Sequence, residues 1–154
     1  MELILWRHSE AEDANGKEDI ARELTKKGRK QAERMAQWLR PRLDDEWRIL
    51  VSPAKRTLQT VKPLDLPFEV SEAVGLAATP AAVLREADWP GGQQPVLVVG
   101  HQPTLGEVAA RLLLGNEGEA TIRKGAIWWF ESRDRGGKME TILKAVMNPD
   151  LLDD

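Results

Sequence analysis

The 154-residue chain contains no cysteine, and this absence removes whole classes of chemistry. Disulfide bonds, thiolate metal sites and every mechanism with a cysteine nucleophile need a thiol. A chain without cysteine fits a reducing compartment. Any catalytic or metal-binding site must therefore be built from other side chains.

Long apolar runs and a basic excess are also missing. No apolar stretch approaches the ~18 residues of a membrane-spanning helix, and no basic flank precedes the apolar run at 3–6, so we expect no signal peptide. Lys and Arg number 22 against 25 Asp and Glu, a formal charge of −3, which argues against binding to nucleic acid or acidic membranes. We expect one soluble, cytoplasmic domain.

Short apolar runs alternate with amphipathic segments along most of the chain. Strands are predicted at 3–6, 48–51, 68–70 and 95–99. Helices are predicted after a Thr25 cap to near Arg40, after a Ser52 cap to about Lys62, over 80–87 and through 105–112. This alternation predicts an α/β fold whose mostly parallel sheet is covered on both faces.

The last part of the chain has a different pattern. Apolar residues at 126–130 and 141–146 flank a turn at Gly136–Gly137, which predicts a β-hairpin. Neighbours on a strand point to opposite faces, so we expect one of Trp128 and Trp129 in the core and the other over a helix or groove.

Both histidines of the chain follow predicted strands. His8 comes just after the first strand, and His101 just after the strand at 95–99. Arg7 precedes His8, and Arg56 lies in the first turn of the helix after the second strand. Ligands of parallel sheets bind beyond the carboxyl ends of the strands, so these four side chains are predicted to share a site.

Arginines and helix N-termini together favour an anion. Cations around a histidine disfavour its protonation, and a neutral imidazole can attack phosphorus. A second histidine can donate a hydrogen bond to the transition state. Serine-hydrolase, phosphate-loop and Asp-x-Asp motifs are absent.

A metal site remains as an alternative, drawn from His8, His101, Glu10, Glu12 and Asp13. The nearby arginines oppose a divalent cation there.

Four segments resemble motifs of the histidine phosphatase superfamily, in the same order. Leu5–Ser9 resembles its Arg-His-Gly signature, and Leu24–Ala32 its Leu-Thr-x-x-Gly-x-x-Gln-Ala helix start. Val51–Thr60 resembles its Ser-Pro-x-x-Arg-x-x-Gln-Thr segment, and Val98–Pro103 the segment with its second histidine.

The resemblance implies a phosphoglycerate mutase-like, three-layer α/β/α fold formed by one domain over 1–154, with the C-terminal hairpin at the sheet edge. It implies no metal or organic cofactor and a covalent phosphohistidine intermediate. By position, His8 is the nucleophile, Arg7 and Arg56 hold the phosphoryl group, and His101 stabilises the transition state. The other implied phosphate- or substrate-binding residues are Arg22, Ser9 and Gln102.

Within the superfamily, the short chain resembles the SixA-type phosphohistidine phosphatases of bacteria. Larger members place a covering insertion and an acidic proton donor between the positions of Thr60 and His101, where this chain has room for about one strand and one helix. Alanine stands near the expected donor, and the nearest carboxylates we identify are Glu72 and Glu10.

Expelling an alkoxide benefits greatly from a general acid, whereas expelling a protonated imidazole needs less help. We therefore expect hydrolysis of phosphohistidine on a partner phosphotransfer protein. The alternatives are a small-molecule phosphomonoesterase and a non-catalytic phosphate-binding domain.

Overall fold

A six-stranded sheet forms the centre of the fold in a computed structural model that describes residues 1–152. The strands are β1 (Glu2–Arg7), β2 (Arg48–Val51), β3 (Glu69–Val70), β4 (Val96–Gly100), β5 (Ile127–Arg135) and β6 (Lys138–Met147). Their order is β3-β2-β4-β1-β5-β6; the first four are parallel, β5 runs antiparallel to β1, and β6 runs antiparallel to β5. The prediction of a mostly parallel sheet with a C-terminal hairpin at its edge is confirmed.

Helices cover both faces of this sheet. The α-helices are α1 (Lys26–Leu39), α2 (Lys55–Val61), α3 (Pro80–Glu86) and α4 (Thr104–Leu114). Short 3₁₀ helices cover Asp19–Ala21, Arg40–Arg42, Lys62–Leu64, Glu72–Val74 and Pro149–Leu152. Within residues 1–152, no helix combines the length and apolar character needed to cross a bilayer.

Strand β1 shows how the three layers form. Leu3 and Leu5 pack with the cluster that contains residues of α3 and α4, whereas Ile4 and Trp6 pack with residues of α1 and α2. All four side chains are completely buried. A strand that is apolar on both faces therefore separates two cores, as its sequence predicts.

The two neighbouring tryptophans also divide between the faces. Trp129 is buried in the α1–α2 core, where it makes edge contacts with Trp38 and Trp47. Trp128 is half-buried and packs against the α3–α4 core. This confirms their predicted structural roles.

One predicted cap is present and the other is wrong. The Thr25 hydroxyl accepts a hydrogen bond from the Gly28 N–H at 2.9 Å and caps α1. Helix α2 has Ala54 at its cap position instead of Ser52. The Ser52 hydroxyl accepts from the Ala54 N–H at 3.2 Å, which makes a tight turn before the helix begins at Lys55.

Gly28→Ala tests the contact between α1 and the chain that comes after β1. A Cβ at Gly28 would fall against the backbone carbonyl oxygen of Glu10. We expect Gly28→Ala to lower the free energy of unfolding by about 1–3 kcal/mol in denaturant titrations, as overpacking does. Gly91→Ala is the control, since a Cβ there meets nothing within 4 Å. Unchanged or higher stability of Gly28→Ala would contradict the close approach.

Candidate active site

A pocket of about 350 Å³ lies beyond the carboxyl ends of β1 and β4. Its ionisable lining consists of Arg7, His8, Asp19, Arg22, Arg56, His101 and Lys124. The four residues predicted from the strand ends thus meet in one cavity, together with Arg22. The sequence pattern did not identify Asp19 or Lys124.

The register of the sheet brings the two histidines together. Arg7 pairs with Gly100 where β1 and β4 run side by side, and the His8 N–H donates to the Gly100 carbonyl at 3.1 Å. The imidazole rings of His8 and His101 have centroids 5.4 Å apart. Each ring therefore stands at the end of a strand, inside the same pocket.

His8 is held with one ring nitrogen free. Its Nδ1 lies 2.7 Å from the backbone carbonyl oxygen of Ser9. A carbonyl only accepts, so Nδ1 carries the proton and Nε2 keeps its lone pair. Burial lowers the pKa of His8 to about 3, and the positive charges of Arg56 and Arg7 act in the same direction. His8 is therefore neutral at physiological pH.

His101 is fixed from the side of β2. Its Nε2 lies 2.7 Å from the Ser52 hydroxyl oxygen. Burial lowers the pKa of His101 to about 4, with the charge of Arg56 acting in the same direction. Both imidazoles are thus neutral beside positively charged guanidinium groups.

Asp19 holds two of the arginines. Arg56 donates to the Asp19 backbone carbonyl at 2.8 Å and to its carboxylate at 3.2 Å. Arg22 donates to the same carboxylate at 3.0 Å. The hydrogen bond from Arg22 and the charge of Arg56 lower the pKa of Asp19, so this carboxylate is ionised.

The carboxylates identified from the sequence are not the ones in the pocket. Glu10 accepts a hydrogen bond from the Thr25 hydroxyl at 2.7 Å and does not line the cavity. Glu72 is exposed on a 3₁₀ helix outside it. The expectation that these two are the nearest carboxylates is wrong, because the loop over 9–24 folds Asp19 back onto Arg56.

Arg7 completes the cationic wall. Its Nη1 donates to the Ile122 carbonyl at 2.8 Å, which anchors the guanidinium at the end of β1. Burial lowers the pKa of both Arg7 and Arg56. Arginine nevertheless stays protonated in proteins, so both remain cations.

Unpartnered polar atoms concentrate at this pocket. Within residues 1–152, the buried side-chain atoms without a hydrogen-bond partner are Arg7 Nε, Ser9 Oγ, Arg56 Nε, His101 Nδ1 and Gln102 Oε1. All but Ser9 belong to residues that line the pocket. Buried polar atoms are rarely left unpaired. Two guanidinium N–H groups of residues in the pocket wall thus have no acceptor within residues 1–152.

Two predicted binding residues are placed differently. Ser9 is completely buried and does not line the pocket; its backbone N–H donates to the Thr60 hydroxyl at 3.0 Å. Gln102 lines the pocket, but its amide nitrogen donates to the Ala120 carbonyl at 2.6 Å. Its unpartnered atom is an acceptor, which is unsuited to an anion.

The residues of the alternative metal site do not come together. Of the carboxylates in that set, Glu10, Glu12 and Asp13, none lines the pocket with the histidines. Among the residues that the structure describes, no group of three or more His, Asp or Glu side chains is arranged to hold a metal ion.

Comparison with known proteins places this site in a family. A family model described as "Histidine phosphatase superfamily (branch 1)" matches residues 3–91, more than half of the chain. A protein of Haemophilus influenzae named "Phosphohistidine phosphatase SixA homolog" is 34% identical over 127 residues, which cover 73% of this chain and 77% of that protein.

Solved structures share the whole architecture. The structure of the protein histidine phosphatase SixA complexed with tungstate matches with a TM-score of 0.76 and 27% identity, covering 99% of this chain and 100% of that one. A phosphoserine phosphatase of Entamoeba histolytica in complex with phosphoserine matches with a TM-score of 0.71 and 18% identity, covering 98% of each chain. The latter likeness establishes the fold alone.

The neutral histidines predict how stability depends on pH. Both have a pKa below 6.5 in the folded chain, so the unfolded chain binds more protons as pH falls below 6.5. Between pH 6.5 and 5, we expect the free energy of unfolding to fall by up to about 1.4 kcal/mol per pH unit for each histidine. Urea titrations in phosphate-free buffer measure this slope. It should flatten in His8→Asn combined with His101→Asn, and an unchanged slope would refute the assignment.

Proposed function

The chain belongs to the histidine phosphatase superfamily, and on this premise we propose that it hydrolyses phosphohistidine on a partner phosphotransfer protein, with His8 as the nucleophile. The observation that carries this proposal is the neutral His8, which lines a pocket walled by cations and keeps the lone pair of its Nε2 because Nδ1 donates to the Ser9 carbonyl. The name of the Haemophilus influenzae relative supports the same substrate class.

The phosphoryl group binds first through charge. Arg7, Arg22, Arg56 and Lys124 place four positive charges around the pocket, against the single negative charge of Asp19. The guanidinium groups of Arg7 and Arg56, which line the pocket, donate N–H hydrogen bonds to the phosphoryl oxygens. The side chains of Ser9 and Gln102 take no part in this binding.

Transfer then exchanges one P–N bond for another. The Nε2 lone pair of His8 attacks phosphorus while the bond to the substrate imidazole breaks. That imidazole leaves neutral when its other nitrogen carries a proton. The phosphorylated His8 ring keeps its Nδ1 proton on the Ser9 carbonyl. Water then attacks phosphorus, its proton goes to the phosphate product, and neutral His8 is regenerated.

His101 acts on the phosphoryl oxygens. Its Nε2 side is occupied by the Ser52 hydroxyl, and its Nδ1 has no partner within residues 1–152. When Ser52 donates to Nε2, the neutral ring carries its proton on Nδ1. That proton stabilises the charge on the oxygens in the transition state.

The pocket is poor in proton donors, which favours the phosphohistidine substrate. Asp19 is its carboxylate, and two arginines hold it ionised. An ionised carboxylate has no proton to give to a departing alkoxide. A protonated imidazole needs no such donor, so the site matches a P–N substrate better than an alkyl ester.

A small-molecule phosphomonoesterase is the second candidate. The phosphoserine phosphatase of Entamoeba histolytica has the same fold. Asp19 also offers a carboxylate that would become a proton donor if a substrate displaced it from the arginines. A phosphate-binding domain without catalysis is the third candidate. It would show no turnover for a replacement of His8 to abolish, whereas both enzymes would lose activity.

Replacement of the nucleophile gives the first test. His8→Ala should lower turnover of free phosphohistidine by at least about 10³-fold, because no other side chain accepts the phosphoryl group. Acid-sensitive, base-stable labelling should appear in the wild-type protein after rapid quench and be absent from His8→Ala. Near-UV circular dichroism checks that the fold is kept. Wild-type rates in His8→Ala would overturn the mechanism.

A series of leaving groups gives the second test. Wild-type rates should fall steeply from phosphohistidine to aryl and then alkyl phosphates, because no donor protonates the departing oxygen. Asp19→Asn should lower phosphohistidine turnover less than the ~10²-fold typical of losing a general acid. Glu72→Gln is the matched control outside the pocket. Wild-type rates that do not depend on the leaving group's pKa, together with a collapse of those rates in Asp19→Asn, would show that Asp19 donates a proton. A phosphate ester would then be the better substrate.

A further inference from the structure

A second, strongly basic cavity adjoins the active-site pocket. This basic groove of about 360 Å³ takes its cations from two segments, Lys27, Lys30 and Arg34 of α1, and Arg123 and Lys124 before β5. Lys124 lines both cavities. The groove therefore adjoins the active-site pocket at Lys124.

The basic groove residues of α1 and the acidic residue of that helix lie on different sides of it. Positions 27, 30 and 34 recur at helical spacing, so they share one side of the helix. The acidic residue of α1, Glu33, lines a different depression together with Arg29. Among residues 1–152, the basic groove has one carboxylate in its lining, Asp150, whose Oδ2 lies 3.8 Å from Arg123 Nη1. A chain with a formal charge of −3 thus concentrates positive potential beside its active site.

Exposed apolar side chains occur at the mouth of the pocket. Leu76 lines it and is 43% exposed; Ile20, between the pocket residues Asp19 and Arg22, is 42% exposed. A small anion uses no such apolar surface, whereas a protein surface buries it at the centre of an interface surrounded by charge. The combination favours a protein partner over a free metabolite.

We propose that the basic groove docks a carboxylate-rich surface of the phosphorylated partner protein, immediately beside its phosphohistidine. This inference rests on the proposed function. With the phosphoryl group in the pocket, Lys124 stands at the boundary, and Lys27 and Lys30 of α1 meet the partner's Asp and Glu side chains. Such pairing at the rim mainly speeds association and makes it sensitive to salt.

Two peptides and one double variant test the groove. The peptides carry phosphohistidine flanked by glutamates or by glutamines. The wild-type protein should hydrolyse the glutamate peptide with a kcat/KM about tenfold higher at low salt, and the preference should shrink in about 1 M NaCl, where the screening length is about 3 Å. Lys27→Glu with Lys30→Glu, both exposed on α1, should abolish the preference and leave free phosphohistidine turnover unchanged.

A matched double variant controls for net charge. Lys62→Glu with Lys138→Glu makes the same change at exposed positions outside the groove and should keep the preference. A preference that survives in the Lys27/Lys30 variant, or is absent from the wild type, overturns the groove proposal alone. A different outcome is that the wild type shows no peptide preference but binds phosphatidylserine vesicles, and that the Lys27/Lys30 variant does not bind them. That result would overturn the proposal and assign the groove to a membrane surface. Failure of the wild type on every phosphohistidine substrate overturns the proposed function instead.

Discussion

The site depends on how the backbone just after β1 is held. His8 presents its free nitrogen only because Nδ1 donates to the Ser9 carbonyl, so the Ser9 peptide must not move. Thr60 of α2 accepts the Ser9 N–H at 3.0 Å, and Gln31 of α1 accepts the Glu10 N–H at 3.1 Å. Both helices on one face of the sheet therefore hold the two residues that follow His8.

This arrangement explains the structural role of particular residues in the motif segments Leu24–Ala32 and Val51–Thr60. Gly28 lets α1 approach the Glu10 backbone, and Thr25 both caps α1 and donates to the Glu10 carboxylate. Gln59 of α2 accepts the Leu24 N–H at 2.7 Å and so fixes the start of α1. None of these residues lines the pocket; they hold the backbone that orients His8.

Burial has opposite consequences for the two kinds of basic side chain in the pocket. Imidazole titrates near neutrality, so desolvation is enough to keep His8 and His101 uncharged. Guanidinium has a pKa far above neutrality, so the same desolvation leaves Arg7 and Arg56 charged. The same burial thus keeps two imidazoles unprotonated beside fixed positive charge.

Features set by local pattern can be predicted from the sequence, whereas features set by how loops fold back cannot. Strand β1 and the places of His8 and His101 at strand ends can be predicted because an apolar run ends abruptly before each histidine. Asp19 begins a short 3₁₀ helix in a polar segment without apolar periodicity, and only its contact with Arg56 across 37 positions reveals it. Ser52 looks like a helix cap by residue type, but the tertiary contact with His101 uses its hydroxyl.

The pocket lining and the segment that could cover it bear on how the protein selects the leaving group of its substrate. The pocket offers hydrogen-bond donors and positive charge, which suit a phosphoryl group whatever leaving group it carries. The segment between α2 and β4 contains only β3, two short 3₁₀ helices and the seven-residue α3, so little of the chain there is free to enclose a substrate. A site that recognises only the phosphoryl group must select its leaving group outside the pocket. The basic groove adjoins the pocket at Lys124, so it lies where the proposed docking of a partner would have to act.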